Sequence, residues 1–75
     1  MAWKEKVYQK VVDVQSLTDE IIAAGFIAAP EEGANFNGCV CPYTTEEPLL
    51  VIVDDGITPE QDALIDTLVA NEPII

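Results

Sequence analysis

Two short groups of side chains in this sequence could bind a metal ion, and the first is a pair of cysteines. Cys39 and Cys41 are separated by one residue, so on a β-strand both thiols would point to the same side and could share a soft metal. Zinc takes about four ligands, and the 75-residue sequence has no histidine and no further cysteine. Two chains would therefore have to pool four thiolates across a symmetric interface. The simpler interpretation is a pair of reduced, partly buried thiols.

The second group is a pair of carboxylates. Asp54 and Asp55 directly follow an apolar run, and carboxylates at the end of a strand can hold Mg²⁺ or Ca²⁺. Their spacing is not that of the twelve-residue calcium loop. The same pair serves equally well as turn residues and as a partner of a helix dipole. The sequence therefore predicts no cofactor and no metal, and leaves Cys39, Cys41, Asp54 and Asp55 as the side chains that would hold one.

Few other residues could catalyse a reaction. The sequence has no histidine and no arginine, and its three lysines, Lys4, Lys6 and Lys10, all lie within the first ten residues. Ser16, Thr18 and the two thiols have no histidine to activate them, and there is no glycine-rich phosphate loop. We therefore predict that the protein is not an enzyme.

The charge balance is strongly acidic. Fourteen aspartates and glutamates against three lysines give a formal net charge of −11, so we expect no direct nucleic-acid binding and no membrane partner. Eight of the acidic residues form four adjacent doublets. They are either a solvated surface that keeps the domain soluble or a carboxylate array that mimics nucleic acid and inhibits a DNA- or RNA-binding protein. The doublets are Asp19-Glu20, Glu31-Glu32, Glu46-Glu47 and Asp54-Asp55.

Length and composition favour one folded domain over residues 1–75. Hydrophobic residues make up 49% of the chain and the mean hydropathy is +0.22, which is too apolar for a disordered acidic tail. This apolar surplus is consistent with an oligomer or a docked partner, and equally with a compact monomer. No apolar run follows the first lysines and none approaches the ~20 residues of a membrane span, so we expect cytoplasmic synthesis without a signal peptide.

The N-terminal segment 3–14 fits either a strand or a helix, and its valines favour a strand. On a strand, alternation places the three lysines on one face and Trp3, Val7 and Val11 on the other. We expect residues 1–14 to form an edge strand, or an arm that adds a strand to a neighbouring copy and brings the lysines to its acidic surface.

A short helix over 18–24 is predicted next, with Ser16 or Thr18 as its cap and Gly25 at its end. Residues 26–29 should form a short strand. The segment 30–38 is rich in turn residues, with Asn37-Gly38 as a tight-turn pair, and the cysteines would open a further strand.

The second half of the chain has clearer signals. Leu49–Val53 is a continuous apolar run that predicts a central strand buried on both faces. Thr58-Pro59-Glu60-Gln61 predicts a capped helix that ends near Asn71. Residues 72–75 form an apolar tail. On that helix we expect Leu64, Ile65, Leu68 and Val69 to be buried and Glu60, Asp62, Asp66 and Thr67 to face water.

The elements predict an α+β fold. Two helices should pack on one face of a three- or four-stranded, mostly antiparallel sheet in the order β-α-β-β-(β)-α, or β-α-β-β-α if the cysteine segment is a loop. Phe26 is expected in the core, whereas Phe36 is either an exposed anchor for a partner or folded back onto the sheet. The candidate partner contacts are Trp3, Tyr8, Phe36, Ile74 and Ile75.

Two segments resemble small accessory proteins of tailed bacteriophages. Leu17–Phe26 is similar to their helix that ends in Ala-Gly and an apolar residue, and Ile57–Ala70 is similar to the Thr-Pro-Glu-Gln helix that closes many of them. The segments cover about a third of the chain and exclude the cysteines. The chain departs from the pattern at its end, where phage examples often carry basic residues or histidine. The resemblance implies a virion accessory role or a host-directed inhibitor, with no catalytic residues to carry over.

The favoured hypothesis is a protein–protein assembly module of a phage virion that docks on a larger structural protein or on copies of itself. The alternative is the acidic inhibitor that mimics nucleic acid.

Overall fold

The central strand is the apolar run that the sequence singles out. The computed structural model describes residues 2–40 and 48–74, and there the element order is β1 (Trp3–Tyr8), α1 (Val14–Ala23), β2 (Phe36–Val40), β3 (Leu49–Asp54) and α2 (Pro59–Asn71). The described strands form one antiparallel sheet in the order β1-β3-β2. The expected α+β fold is confirmed.

The register of the sheet determines which side chains share a face. Trp3 lies opposite Asp54 and Tyr8 opposite Leu49 where β1 pairs with β3. On the other side of β3, Val40 of β2 lies opposite Leu50. Because directly opposed residues of antiparallel strands point to the same face, this register groups the side chains of all three strands.

Both helices cover one face of the sheet. Every second residue of β3, beginning with Leu49, is fully buried beneath them. Burying each such aliphatic side chain stabilises the fold by about 1.5–3 kcal/mol. The core they form consists of Val12, Leu17, Ile21, Phe26, Phe36, Leu49, Val51, Val53, Ile65 and Val69.

The second strand begins earlier than expected, and Asn37-Gly38 is not a tight turn. Both residues lie inside β2, where the register against β3 shifts between Phe36 and Cys39. This shift is a β-bulge, and Gly38 occupies it with φ of +96°, a value that glycine adopts without strain. The same positive φ would have served a hairpin turn, which is why the dipeptide is ambiguous in sequence.

Two predicted strands are shorter in the structure than expected. The expected strand over 3–14 ends at Tyr8, since Val14 already belongs to α1. The expected strand over 26–29 is reduced to a single parallel bridge between Ala28 and Phe36. Phe26 itself is buried, as predicted.

The first helix begins four residues before the predicted position. Its cap is Asp13, whose carboxylate accepts hydrogen bonds from the backbone N–H groups of Gln15 and Ser16 at 3.0 and 3.4 Å. Ser16 therefore lies in the first turn instead of capping it. Gly25 follows the end of the helix with φ of +107° and donates its N–H to Ile22, as expected of a terminating glycine.

The second helix follows its sequence signals. Thr58 accepts a hydrogen bond from the Gln61 N–H at 3.1 Å, and the Gln61 side chain accepts one from the Thr58 N–H at 2.9 Å, which completes the capping box. Pro59 occupies the first turn and Asn71 ends the helix. Ile65 and Val69 are buried, with Leu64 and Leu68 partly buried beside them.

Replacing the observed cap should destabilise the protein more than replacing either predicted one. We expect Asp13→Ala to lower the free energy of unfolding by about 1 kcal/mol, a fall in melting temperature of about 4–8 °C, because two N–H groups lose their acceptor. Thr18→Ala is the matched control and should change the free energy of unfolding by less than about 0.5 kcal/mol. Thermal unfolding followed by circular dichroism measures both, and equal effects would contradict the assigned cap.

Candidate functional site

The first strand presents its charged face to the interior and its apolar face to solvent. Lys4, Lys6 and Tyr8 lie on the face covered by α2, whereas Trp3 and Val7 lie on the opposite, exposed face. The predicted alternation of β1 is therefore confirmed for these residues. What alternation does not reveal is that the lysine face is the inner one, since burial of the apolar face is the usual arrangement.

A cluster of polar groups makes this orientation stable. The Lys6 ammonium group, with its side chain only 11% exposed, lies 2.7 Å from Asp66 Oδ1 and 3.0 Å from Asp62 Oδ1. It also donates to the Asp62 carbonyl at 2.8 Å, and the Tyr8 hydroxyl donates to the same Asp66 oxygen at 2.6 Å. Lys4 is a weaker participant, 3.7 Å from Asp62. Asp62 and Asp66, expected to face only water, instead hold β1 against α2.

The pKa shifts of the cluster all favour a charged Lys6, a charged Asp66 and a neutral Tyr8. Burial lowers the pKa of Lys6, but hydrogen bonds to Asp66 and Asp62 outweigh burial and raise it above its ordinary value. Burial and the Asp66 hydrogen bond raise the pKa of Tyr8 to about 12. Hydrogen bonds from Lys6 and Tyr8 lower the pKa of Asp66. A cation held in its charged form by carboxylates is a poor base or nucleophile, so this cluster is a structural device.

The third lysine is also bound within the chain. Lys10 Nζ donates to the carbonyl oxygens of Val69 and Ala70 at 2.7 and 3.2 Å, at the C-terminal end of α2. A cation there satisfies terminal carbonyls and interacts favourably with the helix dipole. All three lysines therefore contact α2 of their own chain, where the arm hypothesis had placed them on a neighbouring copy. The first strand is an edge strand of its own sheet.

The two helices cover the face of the sheet that carries Lys4 and Lys6, and they leave the opposite face uncovered. We call it the open face and define it by seven residues of the three strands. Its apolar members form a row across the sheet, with Val7 and Val40 both opposite Leu50. Val7 is 58% exposed, Val40 50% and Trp3 39%. The open face comprises Trp3, Glu5, Val7, Val40, Leu50, Ile52 and Asp54.

The open face carries carboxylates and, among the described residues, no cation. Glu5 lies opposite Ile52, and Asp54 lies opposite Trp3, so the two acids are diagonal neighbours on adjacent strands. Asp54 also accepts a hydrogen bond from the Gly56 N–H at 3.2 Å, as a turn residue does. The face is therefore apolar along the Val7–Leu50–Val40 row and acidic beside Trp3.

A second pair of carboxyl groups lies between the two helices. Glu72, the residue after α2, is 4% exposed, and Glu20 of α1 is exposed beside it. A hydrogen bond between the two carboxyl groups, together with burial and repulsion from Glu72, raises the pKa of Glu20. Glu20 therefore keeps its proton to higher pH beside Glu72 than an isolated glutamate would.

The metal candidates are not brought together. Cys39 is half-buried and packs against the core from the helix-covered face, whereas Asp54 lies on the open face. Asp55 is exposed, and Cys41 lies outside the described residues. Nowhere in residues 2–40 and 48–74 do three or more Cys, Asp or Glu side chains gather in an arrangement that could hold a metal ion.

The candidate partner contacts separate into exposed and buried residues. Trp3 is on the open face, and Ile74 is 74% exposed in the tail. Tyr8 is half-buried and bound to Asp66. Phe36 is 1% exposed, so of its two expected placements the structure has the one folded onto the sheet. Ile75 lies outside the described residues.

The acidic doublets occupy several different elements. Asp19-Glu20 is on α1, Glu31-Glu32 is in the connection between α1 and β2, and both pairs are exposed. Asp54-Asp55 ends β3. Glu46-Glu47 lies outside the described residues. The mimicry of nucleic acid by these doublets stays a prediction.

Sequence reasoning did not identify Val40, Leu50 and Ile52 as surface residues. A continuous apolar run such as Leu49–Val53 predicts burial on both faces. A usable signal for the orientation of β1 was present in the charges. Asp62 and Asp66 lie four residues apart, on one face of α2, where their carboxylates can pair with the lysines of β1.

Comparisons of the chain with protein-family models, with curated proteins and with solved structures find no match. In the described part of the chain, neither helix has the length and apolar character needed to cross a membrane.

Removing the central cation of the cluster should loosen β1 from α2. We expect Lys6→Met to lower the free energy of unfolding by about 1–2 kcal/mol, the lower part of the range for hydrogen bonds to charged groups because Asp66 is partly solvated. In a double-mutant cycle, Asp66→Asn should couple to it by about 1 kcal/mol. Urea unfolding measures these values. Lys4→Met is the control and should cost less than about 0.5 kcal/mol, and an additive Lys6–Asp66 cycle would contradict the cluster.

The two carboxyl groups with shifted pKa values should act in separate pH windows. Because the folded pKa of Glu20 is raised, its contribution is full below the unfolded value of about 4.3 and is lost as pH rises through the folded value. Because the pKa of Asp66 is lowered, its contribution is present above about 3.9 and is lost as pH falls through the folded value.

We therefore expect Glu20→Gln to abolish a decline in stability above about pH 4.3, and Asp66→Asn to abolish a decline at more acidic pH. Urea unfolding at a series of pH values measures both. Lys10, bound to the carbonyls of Val69 and Ala70, is a cation at the same end of α2 and is unchanged in both variants. A Glu20→Gln profile parallel to that of the wild type would contradict the raised pKa of Glu20.

Proposed function

We propose that this protein is a non-enzymatic module that binds another protein through the open face of its sheet. The observation that carries the proposal is the orientation of β1, which places Lys6 against α2 and leaves Trp3 and Val7 exposed. A strand that served only its own core would bury the apolar face. The inverted arrangement costs apolar burial, and a partner that covers the face recovers it.

The open face gives such a partner enough apolar surface to contact. Val7, Leu50 and Val40 extend across all three strands in one row, and Ile52 adjoins it on β3. Covering apolar surface contributes about 25 cal/mol per Å² before the costs of association. An aromatic residue such as Trp3 beside an aliphatic row is a common composition for the centre of a protein interface.

We further propose that the module works as an accessory protein of a phage particle. The support is the resemblance of Leu17–Phe26 and Ile57–Ala70 to such proteins. These segments include most of α1 and nearly all of α2, the layer that covers one face of the sheet and leaves the other to a partner. The exposed Ile74 adds a further apolar contact at the end of the chain.

Quantitative mass spectrometry of purified particles tests this role. We expect the chain at a fixed, high copy number relative to a major structural protein. The double substitution Val7→Thr with Val40→Thr should lower its incorporation about tenfold, which corresponds to about 1.4 kcal/mol of docking free energy. Threonine keeps the shape and strand preference of valine, so the fold should persist.

The matched control replaces two exposed isoleucines away from the open face, Ile22→Thr with Ile27→Thr, and should leave incorporation unchanged. Circular dichroism checks that both double variants melt like the wild type. Absence of the wild-type chain from particles, with strong expression in the same cells, would overturn the virion role and favour the soluble acidic inhibitor. Equal loss in both double variants would contradict docking through the open face.

A further inference from the structure

We infer that the open face binds a basic amphipathic helix of its protein partner, with an apolar stripe that covers the Val7–Leu50–Val40 row and Lys or Arg residues beside Trp3, Glu5 and Asp54. This inference rests on the proposed function and specifies the partner. It follows from the dimensions of the face, from its charges and from the charge of the whole chain.

The dimensions favour one helix over a second domain. Neighbouring strands lie about 4.8 Å apart, so Val7 and Val40 are separated by roughly 10 Å across the sheet. That width equals the diameter of one α-helix with its side chains, about 10–12 Å. A helix placed there would give the sheet a helical layer on each face. A standard interface between two globular proteins buries about 800 Å² per partner, which needs a wider surface.

The charges favour a basic helix. Glu5 and Asp54 are the charged residues of the open face, and they lie on adjacent strands next to Trp3. The lysines are turned to the other side, where each contacts α2. A lysine or arginine from a partner can bind these carboxylates and also contact the face of the indole ring, a combination worth about 0.5–2 kcal/mol when partly desolvated.

The same charges disfavour a second copy of this chain as the occupant. Pairing two open faces about a twofold axis would bring Glu5 and Asp54 of both copies into one interface with no cation from either open face. Each chain also carries a net charge of −11, so the copies repel one another over longer distances. A basic partner would instead be attracted both by the carboxylates of the open face and by the net charge of the chain.

The probe is a tryptophan-free synthetic peptide of leucine and lysine, about 18 residues or five helical turns, arranged as an amphipathic helix. Trp3 is the only tryptophan of the chain and lies on the open face, so its fluorescence reports binding there. We expect the leucine–lysine peptide to blue-shift this emission and to bind at least tenfold more tightly than peptides with glutamine or glutamate in place of lysine.

Two pairs of variants separate the open face from the net charge. Val7→Lys and Ile22→Lys each add one positive charge, the first on the open face and the second on α1. We expect Val7→Lys to weaken binding about tenfold and Ile22→Lys less than twofold. Glu5→Gln and Glu31→Gln each remove one negative charge, and only Glu5→Gln should weaken binding, by about threefold.

The outcomes distinguish failure of the inference from failure of the proposed function. Equal binding of the glutamine and lysine peptides would overturn the basic partner and leave the docking face in place. If the protein dimerises with Trp3 buried and Val7→Lys makes it monomeric, the occupant is a second copy. That result would also overturn the basic partner and keep the docking face. Equal weakening by both members of each variant pair would mean attraction by net charge alone and overturn both. A monomer that binds none of the peptides would overturn the helical partner, and incorporation of the Val7→Thr with Val40→Thr variant into particles would then decide the docking face separately.

Discussion

The ion cluster between β1 and α2 is the constraint on which the rest of the structure depends. Lys6, Asp62, Asp66 and Tyr8 join the first strand to the last helix across most of the sequence. A largely buried ammonium group is costly unless it is paired, and here Lys6 donates its hydrogen bonds to oxygens of α2. Shifting β1 by one residue would break all of these contacts and turn the Lys6 side chain toward the open face. The cluster therefore selects the register of β1.

Local signals account for most of the fold and for little of the site. The capping box at Thr58 and Gln61 and the terminating Gly25 act within a few residues, and the structure has them where the sequence predicts them. Asp13 was missed because Ser16 and Thr18 are equally good caps by residue type. Asn37-Gly38 was misassigned because a positive φ suits a bulge as well as a turn.

Local sequence patterns could not predict the open face, because its direction depends on a contact distant in sequence. Alternation in β1 shows that Lys6 and Val7 point to opposite faces, and hydrophobicity alone would turn Val7 inward. The carboxylates that reverse this choice lie on α2, 56 or more residues further along the chain. Where the local pattern and the native arrangement disagree in a natural protein, the disagreement commonly marks a functional surface.

The acidity of the chain and the exposed apolar face support each other. An uncovered sheet face with valine at both edges would promote association between copies in a neutral protein. A net charge of −11 on 75 residues opposes that association at every approach, because the exposed acidic residues lie on the helices and loops as well as on the open face. The charge therefore opposes self-association through an apolar surface that the ion cluster turns outward, and under the proposed function it favours a partner of opposite sign at that surface.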